Sequence, residues 1–121
     1  MVGVTETFQK SYRAEADIDP FLIVTPGTAD GSVVQATAAT DAPLGTLNFL
    51  GAENGKMCDV VKGGTAKCIY GGTVQRGDRL TSDANGKAIA TTTAGNRVIG
   101  IAETDGVADD EGVYWVAPSQ I

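Results

Sequence analysis

Met57-Cys-Asp-Val-Val-Lys62, Gly63-Gly64, Thr65-Ala-Lys-Cys-Ile-Tyr70 and Gly71-Gly72 decide what kind of fold this chain can form. Each run is short, rich in Val, Ile, Thr and Tyr, and ends at a glycine pair. Strands bounded by turn residues have this composition, and helices do not. The pair Gly63-Gly64 reads as a hairpin turn between strands at 57–62 and 66–70. A three-residue loop over Lys62, Gly63 and Gly64 sets Cys58 opposite Cys68, Asp59 opposite Lys67 and Met57 opposite Ile69. It also gathers Cys58, Val60, Ala66 and Cys68 on one face, and complementary cross-strand pairs favour that register by about 0.2–1 kcal/mol each. Directly opposed strand positions fit disulfide geometry poorly, so the expectation for Cys58 and Cys68 is two buried free thiols, with a disulfide as the alternative.

The same punctuation continues outward. Further strands are expected near 20–25, 32–38, 78–82, 87–92, 97–103 and 112–117, separated by Pro26-Gly27, Asp30-Gly31, Asn54-Gly55, Asn85-Gly86 and Gly95-Asn96. Gly63-Gly64-Thr65-Ala66 is echoed by Gly71-Gly72-Thr73-Val74, as in a meander of hairpins. Ala39 to Gly45, with Asp41 and Pro43, could carry one short helical turn. The fold class is all-β, a small antiparallel barrel or a sandwich-like or β-clip-like domain over residues 14–121. Residues 1–13 read as a flexible N-terminal arm. Val4, Phe8 and Tyr12 lie four apart, whereas Val2 and Val4 alternate as in a strand. So short a segment is marginal on its own. It reads as an arm that orders against a partner, the alternative being a strand that closes its own barrel.

Length and composition bound the function. The 121 residues suit one domain, and 42% hydrophobic with 20% charged residues favours neither disorder nor a membrane protein. Apolar stretches such as Phe21–Val24 fall far short of the roughly 20 residues of a spanning helix, and the N-terminus lacks the layout of a signal peptide. A soluble product made in the cytoplasm is expected. The net charge is −6, with nine basic residues dispersed among 15 acidic ones, the opposite of a nucleic-acid-binding pattern. The charge is uneven. Glu103, Asp105, Asp109, Asp110 and Glu111 form an acid-only segment, while Lys10 and Arg13 outnumber Glu6 in the arm. There is no histidine, which removes the usual general base and the commonest zinc ligand. No catalytic residue, cofactor site or metal site is expected.

Individual motifs reduce to turn chemistry. Arg76-Gly77-Asp78 spells a cell-adhesion tripeptide but sits where a strand begins. Asp83-Ala84-Asn85-Gly86 starts like a calcium loop, yet its glycine is misplaced and the closing Glu is absent. Asp78 and Asp83 offer a carboxylate pair for catalysis, more simply read as turn formers. Val113-Tyr114-Trp115-Val116 is apolar on both faces. Tyr114 and Trp115 are therefore anchors, either of the core or of a subunit interface.

Val74-Gln-Arg-Gly-Asp-Arg-Leu-Thr-Ser-Asp-Ala-Asn-Gly-Lys-Ala88, with Ile99-Gly-Ile-Ala-Glu103, Gly112-Val-Tyr-Trp-Val-Ala-Pro118, Val34-Gln-Ala-Thr-Ala38 and Asp41-Ala-Pro-Leu-Gly45, resembles the capsid cement, or decoration, proteins of tailed bacteriophages. The resemblance spans roughly residues 20–118 and lies in the ordered set. It implies a non-enzymatic protein on the outer surface of the virion, assembled in the host cytoplasm. The implied arrangement is a homotrimer that binds the major capsid protein and braces neighbouring capsomers. Neither nucleic acid nor membrane is an expected partner. The expected capsid contacts are Val4, Phe8, Lys10, Tyr12 and Arg13, adding a strand to a capsid edge. On that reading, deleting residues 1–12 leaves a folded protein that no longer binds heads. The rival is a small β-clip or barrel module that binds a carbohydrate or another small ligand.

Overall fold

The computed structural model describes residues 3–121. Val2, one of the alternating positions of the expected arm, lies outside the described residues. Nine strands form one mixed sheet: β1 (Glu6–Ala14), β2 (Ile23–Pro26), β3 (Ser32–Gln35), β4 (Gly45–Leu47), β5 (Met57–Ile69), β6 (Arg79–Ser82), β7 (Ala88–Ala90), β8 (Arg97–Ala102) and β9 (Glu111–Gln120). The order is β1-β3-β2-β4-β5-β9-β8-β6-β7, with β1 also pairing β5. No helix occurs among the described residues.

The long strand β5 organises the molecule. Its first half belongs to a ring of β1, β3, β2 and β4, in which β1 and β3 run parallel at Arg13–Ser32 and the other pairs are antiparallel. Its second half pairs with β9, which continues through β8 and β6 to β7. A single parallel bridge, Tyr70 to Ala88, returns that second half toward the end of β5. The architecture is all-β and ring-like. The parallel pair and the single-bridge closure make it something other than a clean antiparallel barrel.

Two cores form, and Ile23, Ala36 and Val61 of the first half reach into the second. Tyr12, Ala14, Leu22, Val24, Val33, Leu47, Cys58 and Val60 pack in the first. Val61, Ala66, Cys68, Tyr70, Leu80, Ile99 and Tyr114 pack in the second. Val60 and Val61, both essentially inaccessible, face different cores because successive strand residues point to opposite sides. A buried hydrogen bond spans the halves, 2.9 Å between Thr46 Oγ1 on β4 and Tyr114 Oη on β9.

Three expectations change. Gly63-Gly64 is not a hairpin turn, since β5 runs unbroken from Met57 to Ile69. Gly64 sits at φ +76°, and the pairing with β1 shifts register on either side of Phe8. The glycines form a bulge, where a positive φ lets a strand bend and continue. A Cβ on Gly64 would collide with the Thr5 carbonyl oxygen. Cys58 and Cys68 therefore lie ten residues apart on one strand, about 30 Å at strand rise, facing Tyr12 and Gly112. Both are buried free thiols. Cys58, Val60, Ala66 and Cys68 are all buried, but they do not share the one expected face. Cys58 and Val60 pack in the first core and Ala66 and Cys68 in the second, because the glycine bulge between them shifts the alternation.

The expected arm is β1, paired with β5 from Glu6 to Arg13. Of the two readings of this segment, the strand that closes its own ring is the one seen. Tyr12 explains why, because its buried side chain completes the first core. Finally, Ala39–Gly45 forms no helical turn. The Asp41 carboxylate accepts the backbone N–H groups of Thr37 (2.9 Å) and Ala38 (3.2 Å), a local alternative to helix, and the chain then enters β4, a strand not expected from sequence.

Candidate functional site

Two surfaces have the character of binding sites. The first follows β1. Arg13 N donates to Gly31 O and Ala14 N to Lys56 O, so alternate residues turn their backbone groups to opposite sides of the strand. The pairing with β3 involves only Arg13 and Ala14. Among the described residues, no strand takes the outer side of β1 before Arg13. Glu6 through Ser11 are exposed, and Phe8 retains 55% of its accessible surface. An open edge of this kind is a template for a further strand.

The cations of this surface stand out in an acidic protein. Lys10 and Lys62 both lie against Tyr12, their Nζ atoms 5.3 and 5.5 Å from the ring centroid. Lys62 Nζ also donates to Tyr12 Oη at 2.9 Å. Arg13 donates to the Gly55 carbonyl at 2.6 Å. Among the described residues, Lys10, Arg13 and Lys62 have no carboxylate partner. By contrast, Lys67, Arg76 and Lys87 pair with Glu111, Asp105 and Asp109. The acid-only segment thus meets three cations of its own half.

The sequence-selected residues divide. Phe8, Lys10 and Arg13 are exposed on β1, Val4 is partly buried just before it, and Tyr12 belongs to the core. Tyr114 is fully buried, with its hydroxyl pKa pushed up by burial, while Trp115 is 54% exposed. The strand carries one anchor to each side. Burial pushes the Cys68 thiol up to about 12 and raises that of Cys58, so neither presents a thiolate at neutral pH. Asp78 accepts from Gln75 N, and Asp83 from the N–H groups of Asn85 and Lys87. Both carboxylates hold their own turns. Among the described residues no group of three or more acidic or cysteine side chains could hold a metal ion.

The second surface was not legible in sequence. Phe49 and Leu50, each 71% exposed, project from the turn between β4 and β5. That turn is held by Asn48, whose Oδ1 accepts from Leu50 N and whose carbonyl accepts from Gly51 N. Beside Phe49 lies Phe21, which has φ +66°, a conformation costing a side-chain-bearing residue roughly 1–2 kcal/mol. Buried Leu22 and Ile23 follow directly, and Ile23 N is bonded to Gly86 O at 2.9 Å, so the ring is held outward. Phe21 forms one wall of a groove of about 520 Å³ over Ile69, with Asp19, Gln35, Asn85 and Glu111 around it. Lys67 Nζ stands 5.7 Å from the Phe21 centroid.

No protein-family model matches this sequence, and no curated protein matches it. Among solved structures, the chain is similar to the head fiber gp8.5 N base in bacteriophage phi29. The two share a TM-score of 0.73 and 17% sequence identity, over 94% of this chain and 97% of that one. The likeness is one of fold, and it runs through both halves of the molecule.

Proposed function

We propose that this chain is a structural protein of a tailed-phage head that attaches to the outer capsid surface and braces contacts between capsomers. The observation that carries the reading is the fold shared with a head fiber base over nearly the full length of both chains. The ordered motifs that resemble decoration proteins support it independently. The protein acts by binding, without catalysis or cofactor, and its partner is the major capsid protein.

The β1 surface supplies the contact. Its open edge offers unpaired backbone groups to an extended capsid segment, whose main-chain bonds give affinity. Phe8 adds apolar area. Lys10, Lys62 and Arg13 suit an acidic partner, and complementary charge speeds encounter and sets register. A homotrimer, the arrangement implied by the resemblance, engages several capsid subunits at once, so modest individual contacts give strong retention.

Co-sedimentation of the purified protein with undecorated heads tests this. Saturable binding that weakens at high salt is expected. Decorated heads should release DNA at a higher temperature, since a ligand of the intact state stabilises it. Phe8→Ser with Lys10→Glu should abolish binding while the protein stays folded. Failure of the unaltered protein to sediment with heads overturns the proposal.

A further inference from the structure

The groove beside Phe21 shares no residue with the β1 contact surface, and its chemistry differs. Its floor is apolar, formed by Phe21, Leu22 and Ile69, and its rim carries Asp19, Gln35, Asn85, Lys87 and Glu111. At about 520 Å³ it is of the size that accepts a small molecule. The charges of the rim largely balance at short range. Lys87 is bonded to Asp109 at 2.6 Å and Glu111 to Lys67 at 3.4 Å, which leaves the Asp19 carboxylate as the one rim charge without an ion-pair partner among the described residues, so the groove disfavours an anion.

The remaining rim groups are uncommitted. Among the described residues, no intramolecular hydrogen bond engages the side chains of Asp19, Gln35 or Asn85. Two amides and a carboxylate provide donors and acceptors in both senses, set around an aromatic ring. The walls are also preorganised. Asp83 Oδ1 holds the Asn85 turn through the backbone N–H groups of Asn85 (2.8 Å) and Lys87 (2.9 Å). The pose of half-buried Phe21 is maintained at φ +66°, and retained backbone strain of this kind clusters at ligand sites.

We infer that this groove is a binding subsite for a neutral saccharide unit, whose apolar face lies on Phe21 and whose hydroxyls meet Asp19, Gln35 and Asn85. A hydroxyl-rich neutral ring matches an aromatic wall with an amide-bearing rim whose one unpaired charge is a carboxylate. An anionic ligand does not. The carbohydrate-binding alternative raised by the sequence thereby becomes a second site on the same molecule, independent of capsid attachment.

Amide NMR of the full chain tests this by titration with methyl glucoside, cellobiose and di-N-acetylchitobiose, and with sialyllactose as the charged comparison. At least one neutral sugar should give saturable shifts confined to the amides around Phe21, Gln35, Asn85 and Lys87, with the charged sugar weaker. Phe21→Gly removes the ring and suits the backbone angle. Asn85→Ala removes one amide at an exposed turn. Each should weaken binding about tenfold or more with the remaining spectrum unchanged. The same sugars presented on an insoluble matrix should retain the unaltered protein if the natural source is a surface glycan, and only the soluble forms should bind if it is a free sugar. Absence of saturable shifts with every neutral sugar overturns the inference, as do shifts that survive Phe21→Gly or an equal response to sialyllactose. Head co-sedimentation is unaffected by any of these outcomes.

Discussion

Before Gly63, β5 carries Cys58 and Val60 into a mainly aliphatic core closed by one tyrosine. After it, Ala66 and Cys68 meet Tyr70 and Tyr114, both fully buried. The surfaces differ as much as the cores. Four large apolar side chains, Phe8, Phe49, Leu50 and Met57, are exposed on the first half, against Val107 and Trp115 on the second. Lys10, Arg13 and Lys62 lack carboxylate partners among the described residues, whereas the second half ties Lys67, Arg76 and Lys87, though not Arg79 and Arg97, to acids between residues 105 and 111. Tyr70 is further fixed by its hydroxyl, which donates to the Thr104 carbonyl at 2.8 Å. Among the described residues, the first half leaves three of its four cations without an acid, whereas the second pairs three of its five.

The harshest way to break the comparison is to remove β1. Deleting residues 1–12 takes away the strand that closes the first ring, together with Tyr12. The first half should lose its cooperative fold, seen as collapsed amide dispersion for β2 to β4, while signals of β6 to β9 suffer least. This reverses what an N-terminal arm would do, so a fully folded deletion product would contradict the closed ring.

Gly64→Ala attacks the junction between the halves. The left-handed backbone costs roughly 1–2 kcal/mol with a side chain present, and the Thr5 carbonyl must also give way. A loss of about 2 kcal/mol or more is expected in urea unfolding, against a total stability of about 5–15 kcal/mol for an ordinary domain. Gly63→Ala, without positive φ, should cost less.

Tyr114→Phe is gentler. It removes the Thr46–Tyr114 hydrogen bond while keeping the ring, and Thr46 still donates to the Lys67 carbonyl at 3.0 Å. About 1 kcal/mol should be lost. If the halves are coupled through this bond, hydrogen exchange should rise at β4 as well as at β9.

The smallest effect concerns Glu15. Its carboxylate accepts from Ser32 Oγ, Thr28 N and Thr28 Oγ1, and these bonds hold its pKa below the usual carboxylate range. A carboxyl depressed in the folded state stabilises above its unfolded pKa, and that contribution is lost as pH falls through the folded value. The Thr28 amide shift should therefore titrate below the ordinary glutamate range, and Glu15→Gln should abolish the step without disturbing the second half.

Much of the strand content was readable because it is local. Arg79–Ser82, Ala88–Ala90, Arg97–Ala102 and Glu111–Gln120 lie inside or within a few residues of the runs that glycine and asparagine turns mark off. β4 escaped because three residues, Gly45–Leu47, carry too little pattern to separate a strand from a turn. Phe49 and Leu50 escaped because exposure is a property of the packed molecule. In sequence, an apolar residue beside a strand reads as core.

The alternation of side chains, the positions of most turns, the shortage of basic residues and the absence of catalytic histidine belong to the sequence alone, since each depends on neighbours along the chain or on simple composition. The partner of each strand does not. Gly63-Gly64 accommodates a hairpin or a bulge equally well, and the choice is made by β1, some fifty residues away along the chain. Burying Tyr12 and pairing the backbone of both strands outweighs the local turn preference of two glycines. Only the tertiary structure could therefore show that one strand passes through both cores, and that its two cysteines never meet.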